Sequence, residues 1–313
     1  MKKYVIGIDV GGTNVKLGLV DHLGFIRARS HFPTKAFLRN KNKLISAVLQ
    51  NIQNFLTSYR LREKDVAGIG IGLPGLVDPV NGVVKFLPNI PGWKDVPLQK
   101  LLQKRLRIPV LLENDVNMIT LGEWKYGAGV GVRNLICMTL GTGVGGGLIL
   151  NNALYRGEGF AAGEIGHIPI NANGLSCNCG GLGCLERYVG NHYLYQRIKE
   201  IFPGQSLGLE EMSRLAKAGD RKALRFWEET ARHLGCALTG VVNLLNPTRL
   251  IIGGGVAENY QLIVKTLGPL IKKRAMKVQA RMVKIVKAKL GNDASILGAK
   301  VLVTQRGNSS YAM

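Results

Sequence analysis

The sequence predicts an α/β fold written twice, two lobes with a cleft between them, and three observations carry the expectation. Tyr4 to Val20 reads as strand, glycine turn and strand. Leu135 to Leu150 repeats that order, and in both halves apolar strands then alternate with amphipathic helices. Such alternation buries a sheet beneath helices, and writing it twice gives two such units.

Each element has its own signal. Tyr4 to Asp9 is β-rich, Gly11-Gly12-Thr13 makes a turn, and Val15 to Val20 returns, followed by a third strand near Phe25 to His31. Leu44, Ile45, Val48, Leu49, Ile52, Phe55 and Leu56 keep helical spacing, so Lys43 to Tyr59 predicts a helix with one buried face. Val66 to Leu73 is a buried strand stopped by Pro74-Gly75. A helix over Leu98 to Leu106, a strand over Val110 to Glu113 and a helix over Val116 to Tyr126 follow. In the second half Leu135 to Leu140 is a strand, Gly141 to Gly147 a glycine-rich turn, and Leu148 to Leu150 the return. A long helix over Arg221 to Leu245, a strand over Arg249 to Ile252, and helices near Tyr260 to Arg274 and Ser295 to Thr304 complete the pattern. These place a first lobe at 1–115, a second at 116–294, and a last helix within 295–313 that rejoins the first.

Composition bounds the function class. Of 313 residues, 46% are apolar and 20% charged, the balance of a soluble globular chain. The run Leu135 to Leu150 is shorter than the roughly 20 residues of a membrane helix and is broken by glycines and threonines. Asp9 and the glycine pair interrupt the N-terminal apolar run before it could serve as a signal peptide. Five cysteines, three of them clustered, fit a reducing cytoplasm. The net charge of +22 is concentrated between Lys265 and Lys289, where nine Lys or Arg occur. That run lacks interleaved aromatics and any helix-turn-helix or RNA-binding signature. It reads as a solvated helix face and strand edge, with no nucleic acid expected as partner.

The densest chemistry lies in HIPINANGLSCNCGGLGCLE, His167 to Glu186. Cys177, Cys179 and Cys184, with His167 upstream, are the ligand set of a closed tetrahedral structural zinc site. Gly174, Gly180, Gly181 and Gly183 let the backbone fold tightly enough for the sulfurs to converge. A disulfide would pair three cysteines unevenly, and three unrelated buried thiols would leave the glycine spacing without a reason. Zinc at this loop would hold Glu164, His167 and Glu186 in fixed positions.

Three glycine turns point to phosphate. They are Asp9-Val10-Gly11-Gly12-Thr13-Asn14, Gly141-Thr142-Gly143 with the glycines after it, and Gly253-Gly254-Gly255. Glycines there let backbone N–H groups approach phosphate oxygens, and Thr hydroxyls can donate as well. Asp9 is a candidate Mg²⁺ ligand through water, and Lys16 is either a phosphate partner or a solvated strand lysine. None of the turns fits the P-loop or dinucleotide-binding fingerprint in its proper context.

On these residues the chain resembles the ROK family (repressors, open reading frames and sugar kinases) of the hexokinase/actin-like ATPase superfamily. DVGGTN resembles its first phosphate turn, TLGTGVGGG its second and IIGGGVA its adenosine turn. GIGLPGLVD at 70–78, PNIPGW at 88–93, END at 113–115 and GEIGH at 163–167 are in family style. The cysteine segment fits HxxxxxxGxxCxCGxxGCxE at every specified position. The resemblance runs from about residue 4 to 304. It implies a two-lobed actin-like (duplicated ribonuclease H-like) fold, ATP with Mg²⁺, a structural Zn²⁺, a hexose substrate and a homodimer.

The resemblance also assigns roles. Asp115 becomes the general base that takes the proton from a sugar hydroxyl as it attacks the γ-phosphorus, while also being a residue type that caps helices. Asn114, Glu164, His167 and Glu186 ring the sugar, and Gly75 offers backbone contact at its entrance. Thr142, Gly143, Gly254 and Gly255 join the first turn around the nucleotide. The implied activity is ATP-dependent phosphorylation of a hexose, glucose to glucose 6-phosphate, with N-acetylmannosamine or N-acetylglucosamine as the alternative acceptors. Arg187 to Asn191 departs from the small-residue run of many members, which leaves the choice of sugar open. A sugar-sensing repressor is the non-enzymatic alternative. The first turn begins at residue 9, so no helix-turn-helix is expected ahead of it.

Overall fold

A computed structural model describes residues 3–34, 40–87 and 92–306. Two compact units result: Met1–Gly131 with Leu154–Ala162 and Leu290–Met313, and Val132–Ala153 with Gly163–Lys289.

Unit 1 begins with an antiparallel meander of β1 (Tyr4–Val10), β2 (Asn14–Asp21) and β3 (Ile26–Pro33). Helix α1 (Lys41–Ser58) starts at Asn40, whose side chain accepts from the N–H groups of Asn42 and Lys43. Strand β4 (Val66–Leu73) pairs parallel with β1. A small sheet of β5 (Leu76–Asp78), β6 (Val83–Phe86) and β7 (Lys94–Val96) follows, then α2 (Leu98–Gln103). Strand β8 (Val110–Asn114) runs parallel to β4 and feeds α3 (Asp115–Tyr126). The sheet order is β3-β2-β1-β4-β8. Alternation puts Ile6, Ile8, Leu17 and Leu19 on a face that shares one core with Leu44, Ile52 and Phe55 of α1.

Unit 2 repeats the plan. Strands β9 (Leu135–Leu140) and β10 (Val144–Leu150) form a hairpin, followed by β11 (Ala153–Tyr155), at whose first residue the chain leaves unit 2. After the cysteine loop come α4 (Glu186–Val189), α5 (Asn191–Ile201), α6 (Leu209–Lys217) and the long α7 (Arg221–Leu245). Strand β12 (Arg249–Gly253) lies parallel to β9; α8 (Tyr260–Arg274) and α9 (Lys277–Met282) lead to β13 (Lys284–Lys287), parallel to β12. The order is β11-β10-β9-β12-β13. The chain then returns to unit 1 as α10 (Ala294–Arg306), packed on α3, β1 and β4.

Two expectations change. Unit 1 runs on to Gly131 rather than ending near residue 115, because α3 packs against α10 and β4 of that unit. The second glycine turn is only Gly141 to Gly143. Gly145, Gly146 and Gly147 pair with Thr139, Met138 and Cys137 as strand. Glycine is needed at 146, where an added Cβ would stand 2.4 Å from the carbonyl oxygen of Gly163. The nine Lys and Arg of the basic run are exposed along α8, α9 and the edge strand β13, which is the solvated helix face and strand edge that the sequence suggests. No helix among the described residues is long and apolar enough to cross a membrane. Of PNIPGW, residues 88–91 lie outside the described residues.

Candidate active site

In unit 1 the polar groups gather at strand ends. Strand β8 closes with Glu113 and Asn114, and α3 opens with Asp115. The N-cap is Asn114, not Asp115. The Asn114 side chain accepts from the N–H groups of Val116 (2.9 Å) and Asn117 (3.1 Å). Two cap-forming residues stand side by side, and the strand's pleat decides which one caps. Asp115, half-buried at the first helical position, accepts from the Val116 N–H at 2.9 Å.

A buried network steadies this corner. Glu113, 2% exposed, accepts from the Asn114 N–H and from Asn117 Nδ2, each at 3.0 Å. Its second oxygen accepts from Arg156 Nε at 2.7 Å. The Asn114 amide donates to the Gly75 carbonyl at 3.2 Å, so that carbonyl already braces the corner. The local sequence pattern does not single out Glu113, Asn117 and Arg156. The END triplet was the only signal, and nothing in it names an arginine 43 residues away.

The first glycine turn follows β1 at the same end of the sheet, where Asp9 is level with Gly72 and Gly72 with Glu113. Gly12 and Thr13 are exposed; Thr34, fully buried, braces them with its N–H to Thr13 O (2.8 Å) and its hydroxyl to Gly11 O (2.7 Å). Asn14 closes the turn by accepting from the Gly11 N–H at 3.0 Å. Asp9 and Lys16 are register partners across β1 and β2. Burial pushes the Asp9 carboxyl above its ordinary range, against the pull of the Lys16 charge. Lys16 Nζ donates to Asn292 Oδ1 at 2.9 Å.

In unit 2 the four ligand candidates come together. The donor atoms of His167, Cys177, Cys179 and Cys184 all lie within 4.8 Å of one another. His167 Nδ1 is 3.7 Å from Cys177 Sγ, and Cys179 Sγ is 3.6 Å from Cys184 Sγ. Ligand atoms on a tetrahedral zinc stand about 3.3–3.8 Å apart, from bonds of about 2.0–2.3 Å. All three cysteines are free thiols, so the disulfide alternative is not formed. Gly183 (φ +66) makes the turn possible, since a Cβ there would lie 1.8 Å from Asn171 O. Burial and the neighbouring sulfurs push the Cys184 thiol up to about 12, while the Gly181 backbone pulls Cys179 down. Three sulfurs and an imidazole nitrogen this close form a donor set for a cation.

Glu186, at the start of α4, accepts from the Val144 N–H at 2.8 Å and so ties the cysteine loop to the second glycine turn. Glu164 is exposed, its Oε2 3.9 Å from His167 Nε2. Thr142 and Gly143 are exposed at their turn, as are Gly254 and Gly255 after β12.

A family model described as ROK family matches residues 5–306. The chain belongs to the ROK family. This ROK protein is 34% identical to a glucokinase of Halalkalibacterium halodurans, over 98% of its own length and 97% of the relative's. It is 31% identical to a xylose repressor of Caldicellulosiruptor bescii, covering 96% of itself and 77% of that chain. Among solved structures it resembles a ROK family glucokinase from Streptomyces griseus in complex with glucose and AMPPNP. There the identity is 32% and the TM-score 0.78, with 96% and 99% of the two chains covered.

Proposed function

We infer that this ROK protein is a sugar kinase of the glucokinase kind, passing a phosphoryl group from ATP to a hexose, with glucose as the acceptor. The observation that carries this reading is the alignment with a glucokinase over nearly the whole length of both chains, with a carboxylate, Asp115, at the first position of α3. Asp115 takes the proton of the attacking sugar hydroxyl; phosphoryl transfer asks little covalent chemistry of a protein beyond positioning and charge neutralisation. Asn114, whose amide and backbone are both engaged, keeps that carboxylate at a fixed height on α3. Glu164, His167 and Glu186 accept from or donate to the remaining hydroxyls.

The donor set His167, Cys177, Cys179 and Cys184 fits zinc, which would hold the loop's shape and, with four protein ligands, activate no water. His167 Nδ1 is its nitrogen on the sulfur side, which leaves Nε2 for a sugar hydroxyl. The Asp9 carboxylate, costly to keep ionised as it stands, fits Mg²⁺ held through water; the ion would neutralise charge on the transferring phosphates. The exposed turns at Gly11–Thr13, Thr142–Gly143 and Gly254–Gly255 supply backbone donors to the nucleotide. A homodimer and a cytoplasmic site complete the reading.

The test is ADP release from ATP over glucose, mannose, fructose, N-acetylmannosamine and N-acetylglucosamine. Glucose is expected to lead, and Asp115→Asn to lower kcat by about 10²–10⁴ with folding intact. A lead for an N-acetyl sugar would keep the mechanism and change the substrate. Sugar binding with no turnover of any of them would replace the kinase with a sensor.

A further inference from the structure

Unit 1 holds a cavity that neither the phosphate turns nor the sugar residues line. It is about 530 Å³, well within the range of small-molecule sites, and it opens along the outer edge of β8. Leu111 and Leu112 of β8 and Leu302 of α10 give it apolar walls, with Val80 at 70% exposure among the lining residues. Phe160 also lines it, held at φ +60, a left-handed conformation that a phenylalanine adopts only where its surroundings impose it. The polar lining is unequal. Arg156 is committed to Glu113, whereas the exposed Glu158 carboxylate has no hydrogen-bond or ion-pair partner among the described residues. The free pole of the cavity is therefore negative.

We propose that this cavity is a binding site for a small apolar amine, a flat hydrocarbon body with a protonated nitrogen turned to Glu158, and that its occupancy is felt at Asn114. The body replaces water against leucine and phenylalanine surface, and the ammonium meets the one uncommitted charge. The link to Asn114 is short. Arg156 forms part of the cavity wall and holds one oxygen of Glu113, whose other oxygen holds the Asn114 N–H. A ligand that moves the guanidinium moves that hydrogen bond. The binding claim stands apart from the kinase reading; only an effect on turnover would rest on it.

The experiment uses the full chain and three probes of one shape: tyramine, 3-(4-hydroxyphenyl)propionate and 4-ethylphenol. Binding is followed in ¹⁵N-labelled protein by amide shifts, with no turnover required. Tyramine is expected to bind saturably, about three- to fivefold tighter than the carboxylate probe, as a solvent-exposed charge pair allows. Glu158→Gln should erase that preference, and Val80→Trp, at the exposed rim, should abolish binding while leaving the spectrum otherwise native. The Asn114 amide should shift on titration and cease to shift in Arg156→Lys. Absence of saturable binding by any probe, binding indifferent to Val80→Trp, or a carboxylate preference would overturn the site. Saturation with a stationary Asn114 signal would overturn the link.

Discussion

The two sheets share a plan and differ in how they hold their chemistry. Each sets an antiparallel hairpin beside two parallel strands: β2-β1-β4-β8 in one unit, β10-β9-β12-β13 in the other. In unit 1 the Asn114–Asp115 corner is the direct continuation of a strand, and buried side-chain bonds around Glu113 fix it. In unit 2 the corresponding groups ride on Glu164 to Glu186, a loop whose sheet-like pairing is confined to the isolated bridges Pro169–Cys184 and Ser176–Leu182. A strand end needs only a good neighbour. A loop that small needs a cross-link, and the four donor atoms are where one would go.

Metal removal should break this comparison most visibly. Zinc bound by cysteine and histidine can contribute about 10–16 kcal/mol of apparent folding energy in small domains. Elemental analysis should find about one zinc per chain in the wild type and none in Cys177→Ala. Hydrogen exchange should then show residues 168–186 losing protection, while Asn114 and Asn117 keep theirs. Equal loss in both places would mean that unit 1 also depends on the metal.

The converse strike is at Arg156. Arg156→Ala leaves Glu113, 2% exposed, as a buried charge without its cation, a defect worth about 3–5 kcal/mol. The midpoint of denaturant unfolding should fall, and kcat should fall more than KM rises, because the residues displaced are Asn114 and Asp115. Adding Glu113→Gln should restore part of the stability by removing the orphaned charge. Zinc content should not change. If it did, the two supports would not be separate.

What the sequence made legible follows the same line between local and distant causes. Strands β1, β2 and β9 and helices α1, α7 and α8 were legible from local sequence pattern, within a few residues of their observed ends. The cysteine cluster was legible because its ligands lie close in sequence and glycine spacing marks a tight loop. Gly145 to Gly147 were misread as turn because glycine carries no side chain to show strand alternation. The choice of cap between Asn114 and Asp115 was not decidable from composition, as both residue types cap well. The short strands β5 to β7 and β11 left no periodic run long enough to register. Arg156 and Glu113 were invisible as a pair for a simpler reason: their contact exists only once the chain has folded.

A smaller effect sharpens the link between the cysteine loop and its glycine turn. Glu186→Ala removes the acceptor of the Val144 N–H, which costs about 1–3 kcal/mol if nothing replaces it. Thr142 and Gly143, just before Val144, should lose order, and ATP affinity should drop along with sugar affinity. Glu186→Gln keeps an acceptor oxygen, so it should preserve stability and ATP binding while weakening the sugar. Equal ATP affinity in both variants would show that the bond to Val144 does not shape the turn.

The smallest expected effect separates the units by pH. In unit 2, His233 lies against the Tyr188 ring at 4.9 Å, and Tyr188 accepts from the Leu175 N–H at the edge of the cysteine loop. Burial lowers the His233 pKa, against the pull of Glu229. The folded form thus binds its proton less readily than the unfolded chain. The stability this contributes is complete above the unfolded value of about 6.5 and is lost as pH falls through the lowered folded value. In unit 1, burial would raise Asp21, but hydrogen bonds from the Phe25 N–H and Arg27 outweigh it and hold the carboxyl below its ordinary range. Its contribution is complete above about 3.9 and fades only below that. Acidification from pH 7 to 5 should therefore raise exchange around α4 and α7 before it touches β2 and β3. His233→Gln should flatten the first response and leave the second, whereas an unchanged profile in that variant would assign the acid sensitivity of unit 2 to another group.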